Sequence, residues 1–153
     1  MKSIARPDIL AALITRLESL TPATPRRWGT LTSNEMLCHL ADSARIVLAN
    51  GWDVVEEKGG TNRPGPIIKL FALRLPFPWS RTLRTHPAID QRTHGTKPVD
   101  FEGDRRRAVD GLRALAAATT LPPVHPYIGP MTREDWLRWA YRHTDHHLRQ
   151  FGV

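Results

Sequence analysis

Apolar residues recur along most of this chain at the three-and-four spacing of a helix. Leu10, Leu13, Ile14, Leu17 and Leu20 share one face of a segment running from about Asp8 to Leu20. Pro7 suits its first turn, and Thr21-Pro22 with Pro25 ends it. A second helix is predicted from the capping box Thr32-x-x-Glu35. Its apolar face includes Met36, Leu37, Leu40, Ala44, Val47 and Leu48, and Gly51 is its expected stop. A third runs from about Gly103 to Ala118, with Val109, Leu112, Leu115 and Ala116 facing inward. The fourth starts at Thr132, with Asp135 as an acidic variant of the capping box, and continues through Trp139 to the last residues. Its stripe reads Trp136, Ala140, His143, His147 and Phe151.

Residues 51 to about 99 break the pattern. They hold six of the 13 prolines, together with the turn signals Gly59-Gly60, Pro64-Gly65-Pro66 and Pro76-Phe77-Pro78. A structureless loop of that length is unusual in a compact domain. The stretch reads instead as a long crossover with a short apolar helix over Ile67–Leu75, placed to serve as a lid. Pro122-Pro123-Val124-His125-Pro126 forms a stiff connector. No strand pattern competes and no internal repeat is present. The expectation is one all-α domain over residues 1–153: a four-helix bundle with a long connection between its second and third helices.

Composition narrows the classes. A chain of 153 residues suits one domain that buries a core without staples. The single Cys38 excludes an intrachain disulfide and a zinc site of several thiolates. The N-terminal apolar run is interrupted by Thr15 and Arg16, unlike a secretory signal. No window approaches ~18 uninterrupted apolar residues, so no membrane span is expected and a cytoplasmic protein is the default. The net charge of +7 and pI near 10.5 favour anionic partners in general. The excess is diffuse, with Arg26-Arg27 and Arg105-Arg106-Arg107 as its short runs. Without a helix-turn-helix signature or a basic-aromatic platform, nucleic acid is not an expected partner.

The chemistry concentrates in the closing helix. His143 and His147 are four positions apart, so both imidazoles point the same way from an otherwise apolar stripe. Two such rings can ligate one divalent ion, and a third ligand from another helix would secure it. His39 is the best candidate, being the histidine on an inward-looking part of the second helix. Three neutral imidazoles leave an open coordination position, the pattern of catalytic sites. Imidazole ligation suits zinc, nickel, iron(II) or copper. His146 is expected beside the pair or at the surface, and Asp145 on the outer side. His86, His94 and His125 sit in loops or beside prolines and are expected at the surface.

Three segments carry a family resemblance: Glu35-Met36-Leu37-Cys38-His39-Leu40-Ala41-Asp42-Ser43, His125-Pro126-Tyr127-Ile128-Gly129, and the run from Trp136 to Gly152. Together they resemble the DinB-like proteins, and within them a branch of unassigned function whose members end in a similar His-His-Leu-Arg-Gln-Phe-Gly. The resemblance implies a four-helix bundle with a long second connection, often a homodimer. It also implies a metal held by His39, His143 and His147, with Gln150 bracing an imidazole. Some DinB-like proteins are metal-dependent transferases or isomerases that use low-molecular-weight thiols. The implied activity is therefore thiol transfer to a small electrophilic molecule, with no catalytic residue assigned. Trp28, Trp52 and Trp79 are candidates for a pocket wall, and arginines could receive substrate carboxylates. Metal-assisted hydrolysis is an alternative, with Glu35 as the best guess for a base although its cap already explains it. A non-enzymatic module, stapled by its ion, is another. Cys38 reads as a small buried residue, since on a helix it points about 100° away from His39.

Overall fold

The computed structural model describes residues 1–49, 66–82 and 85–153. Four longer helices lie in the expected places: α1 (Pro7–Glu18), α2 (Ser33–Leu48), α4 (Phe101–Ala117) and α5 (Arg133–Gln150). A short α3 (Pro66–Lys69) runs straight into a π-helical turn, Leu70–Arg74, inside the crossover. A 3₁₀ turn follows at Pro87–Ile89. The chain is mostly helical, and no helix among the described residues is long and apolar enough to cross a membrane.

Local chemistry sets the helix ends. Thr32 and Glu35 close the predicted capping box of α2, with Thr32 N donating to Glu35 Oε2 at 2.7 Å and Glu35 N donating to Thr32 Oγ1 at 3.2 Å. Thr132 and Asp135 do the same for α5. α4 begins two residues earlier than its apolar pattern, because Asp100 accepts from Gly103 N at 2.7 Å and caps the extra turn. α1 stops at Glu18, yet Leu20 beyond it is still buried. The expected stop of α2, Gly51, lies outside the described residues.

The apolar faces meet in one core. Leu13 and Leu17 of α1 join Met36, Leu37, Leu40, Ala44 and Val47 of α2, Val109, Leu112 and Leu115 of α4, and Trp136, Leu137, Ala140 and Leu148 of α5. Each fully buried side chain of this size contributes roughly 1.5–3 kcal/mol. α4 packs on α2, α1 and α5, and α1 also touches α5. Gly111 permits the close approach of α4 to α2: a Cβ there would lie 2.8 Å from Ala44 Cβ. Leu48, expected on the apolar face, is exposed, although Ile46 and Val47 in the same last turn of α2 are buried.

Two sequence expectations need correction. The connector is not free of strand: β1 (Val124–His125) pairs antiparallel with β2 (Gly129–Pro130), matching Val124 to Pro130 and His125 to Gly129. Two-residue strands are too short to show a period. The short crossover helix forms, but Leu73 is buried while Ile67, Ile68, Leu70 and Phe71 are exposed. It is tied to α5 by polar contacts instead. Lys69 and Arg74 reach Asp135 at 2.6 and 3.4 Å, and Arg142 donates to the carbonyl of Leu75 at 2.8 Å and to that of Phe77.

Candidate metal centre

α2 and α5 bring His39, His143 and His147 together. Their candidate ligand atoms all lie within 4.8 Å of one another. His39 Nε2 is 3.0 Å from His143 Nε2. The His39 ring centroid is 4.7 Å from that of His147, and His143 and His147 are 4.9 Å apart at nearly a right angle. His39 and His147 are buried, and His143 is partly so.

Each ring is held by a neighbour. His39 Nδ1 is 2.8 Å from the carbonyl oxygen of Ile89, which can only accept, so Nδ1 carries the proton. His147 Nδ1 is 3.0 Å from Gln150 Oε1. Gln150 Nε2 donates to the Trp28 carbonyl at 2.8 Å, which fixes the amide with its oxygen toward the imidazole. His147 Nδ1 is therefore the donor as well. Trp139 stacks on His143, with centroids 4.7 Å apart and planes within 15°.

The Ile89 carbonyl arrives through a buried carboxylate. Asp42, on α2, accepts from Thr96 N and Thr96 Oγ1 at 2.7 Å each and from Gln91 Nε2 at 3.3 Å. These bonds clamp the end of the crossover onto α2 beside His39.

The consequence is electrostatic. With both Nδ1 atoms protonated, His39 and His147 each present an Nε2 lone pair to the same small space. One proton on His143 Nε2 could satisfy one of those lone pairs but not both. Burial lowers all three imidazole pKa values, those of His143 and His147 well below the usual range, so protonating the cluster is disfavoured. The three imidazoles lie close enough to hold a metal ion. Tetrahedral bonds of about 2.0–2.1 Å space nitrogen ligands about 3.3 Å apart, near the 3.0 Å between the Nε2 atoms of His39 and His143.

Other expected residues fall differently. His146 lies beside the pair, with its ring 5.2 Å from His147 and about equally far from Trp28 (6.1 Å) and Trp79 (6.0 Å). Trp28 and Trp79 line one cavity with His146. Trp52 lies outside the described residues. Asp145, expected on the outer side, is half-buried on the cavity wall, where it binds Arg16 at 2.7 Å and Arg149 at 3.1 Å. Glu35 is engaged in its cap. Cys38 is buried, and burial pushes its thiol pKa up.

His94 is exposed as expected, but the surface placement of His86 and His125 is wrong: both are buried. Proline neighbours signal a loop, not exposure, and this loop packs under the indoles. His125 lies 5.3 Å from Trp136 and 5.5 Å from Trp139, ring to ring. Burial, reinforced by His86, drives its pKa down to about 3. Sequence reasoning also missed Trp139 as a wall of the centre, although its four-residue spacing from His143 was there to find. Asp42 and the Ile89 carbonyl had no such signal. No family model, curated protein or solved structure matches the chain.

Proposed function

We propose that this chain is a DinB-like four-helix bundle that holds one divalent ion, zinc, nickel or iron, on His39, His143 and His147. We propose further that it is a transferase joining a low-molecular-weight thiol to a small electrophilic molecule, assembled as a homodimer. The observation that carries the metal reading is the convergence of two fixed Nε2 lone pairs, with a third imidazole in reach, in a buried space. The thiol chemistry and the dimer come from the family resemblance.

When bound, a divalent ion there supplies a Lewis acid that lowers the pKa of a thiol in its open position. The chain's own residues do the rest. Ile89 O and Gln150 Oε1 lock two imidazoles with Nε2 facing inward. Trp139 fixes the plane of His143. Trp79, with its ring centroid 6.1 Å from that of His143, lines the cavity next to the centre. In the overall exchange a carbon–sulfur bond forms, the leaving group departs with its electron pair, and the thiol proton goes to solvent. A second reading, in which the ion staples α2 to α5 without turnover, is favoured by the burial of His39 and His147.

Elemental analysis of untagged protein tests the metal assignment. We expect one ion per chain in the wild type and less than about a tenth of that in H39A, H143A and H147A, since removing one of three ligands leaves a weak site. A stoichiometric ion in all three variants contradicts the ligand set. Thiol conjugation that requires both ion and thiol supports the transferase; an ion that raises thermal stability with no turnover supports the staple.

A further inference from the structure

We propose that the open cavity beside the three histidines binds a small organic anion, a carboxylate or phosphate ester that also carries a flat unsaturated group. As the electrophile of the transferase proposed above, this molecule rests on that reading for its chemistry, but its binding is carried by independent observations.

The cavity has a volume of about 790 Å³, within the range of small-molecule sites. It touches the centre through His146, whose ring is 5.2 Å from that of His147, and through Trp79, whose ring is 6.1 Å from that of His143. Among the described residues its wall carries more basic side chains than acidic ones. Asp145, the acidic side chain on the wall, is already held between Arg16 and Arg149. Arg74 is committed to Asp135. That leaves Lys2, which lies over the Tyr141 ring, and Arg27, Arg81 and Arg142, none with a carboxylate side chain within ion-pair distance among the described residues.

Their hydrogen bonds and ring contacts go to neutral groups, although Arg142 also feels the charge of Asp145. Arg27 donates to the Gly152 carbonyl at 3.2 Å. Arg142 donates to two carbonyls, and its Nε is buried with no hydrogen-bond partner among the described residues. The Arg81 guanidinium lies 4.4 Å from the centroid of the Trp28 ring, and that of Arg142 lies 5.9 Å from Trp79. Guanidinium forks match carboxylate and phosphate oxygens, and the indoles give a planar group a surface to stack on. An anion entering this cavity is therefore drawn to the side of the histidine cluster.

The test uses benzoate, phenyl phosphate and neutral benzamide. Each is titrated into zinc-loaded and chelator-treated protein, following the indole NMR signals of Trp28 and Trp79. At least one anion should saturate both signals and bind about tenfold or more tightly than benzamide, with affinity falling as salt rises. The tighter of the two anions identifies the class. R81Q and R27Q, both at exposed positions, should each weaken it about tenfold and leave zinc stoichiometry unchanged. Equal binding of benzamide, or anion binding untouched by both substitutions, overturns the proposal. Zinc bound at one per chain with no preference for anions would defeat this inference alone. Anion binding by protein that takes up no zinc would defeat the metal reading and leave the pocket standing.

Discussion

Gln150 couples two parts of the chain through one amide, bracing His147 with its oxygen and the Trp28 carbonyl with its nitrogen. The next residue after Trp28 is Gly29, with φ of +78°, and a Cβ there would collide with Gln150 Nε2. G29A therefore both strains the backbone and pushes the amide off the imidazole. We expect it to weaken divalent-ion affinity about 10–100-fold with every ligand intact, as measured by competition with a chelator. Affinity within twofold of wild type would mean that the brace does nothing. His143 and His147 were legible in the sequence because helical spacing puts them on neighbouring turns of one face, whereas Gln150 came from the family resemblance. His39 needed only an inward place on a second helix. The partner of His39 was not legible, because it is a backbone oxygen 50 positions further along the chain, in a segment without periodicity.

At the scale of elements, the four longer helices were legible because each carries an apolar stripe, and Pro7, Thr32 and Thr132 mark the starts of three of them. The crossover was legible as a long connection with a short helix, but its packing was not, because Leu73 and Ile89 bury only scattered apolar surface and polar contacts supply much of the rest. Asp135 shows how. Its burial works to raise its pKa, but hydrogen bonds from Lys69 and Thr132 overcome this and hold it at about 2. Its folded pKa thus lies below the ordinary value of 3.8. The stabilisation is complete above about pH 4 and is lost as pH falls through about 2. It amounts to about 2 kcal/mol at most, reduced by the partial exposure of Lys69 and Arg74. Denaturant unfolding at pH 6, 4 and 2 should show wild type losing more stability than D135N between pH 4 and pH 2. Parallel losses would show that Asp135 does not tie α3 and the π turn to α5.

At the scale of the whole molecule, the fold places polar chemistry where three parts of the chain converge. α2 and α5 supply imidazoles to the space between them, and the end of the crossover, clamped by Asp42, supplies the carbonyl that orients one of them. A basic, indole-lined cavity opens beside that point. The connection that sequence periodicity could not describe is thus part of the centre itself. The proposed function depends on a cation taking up the two facing lone pairs. The most direct check is anomalous diffraction from crystals of the zinc-loaded protein, recorded above and below the zinc absorption edge. We predict one strong peak per chain, about 2.0–2.1 Å from the Nε2 atoms of His39, His143 and His147. A peak elsewhere, or none with His39 and His143 still hydrogen-bonded to each other, would contradict the account.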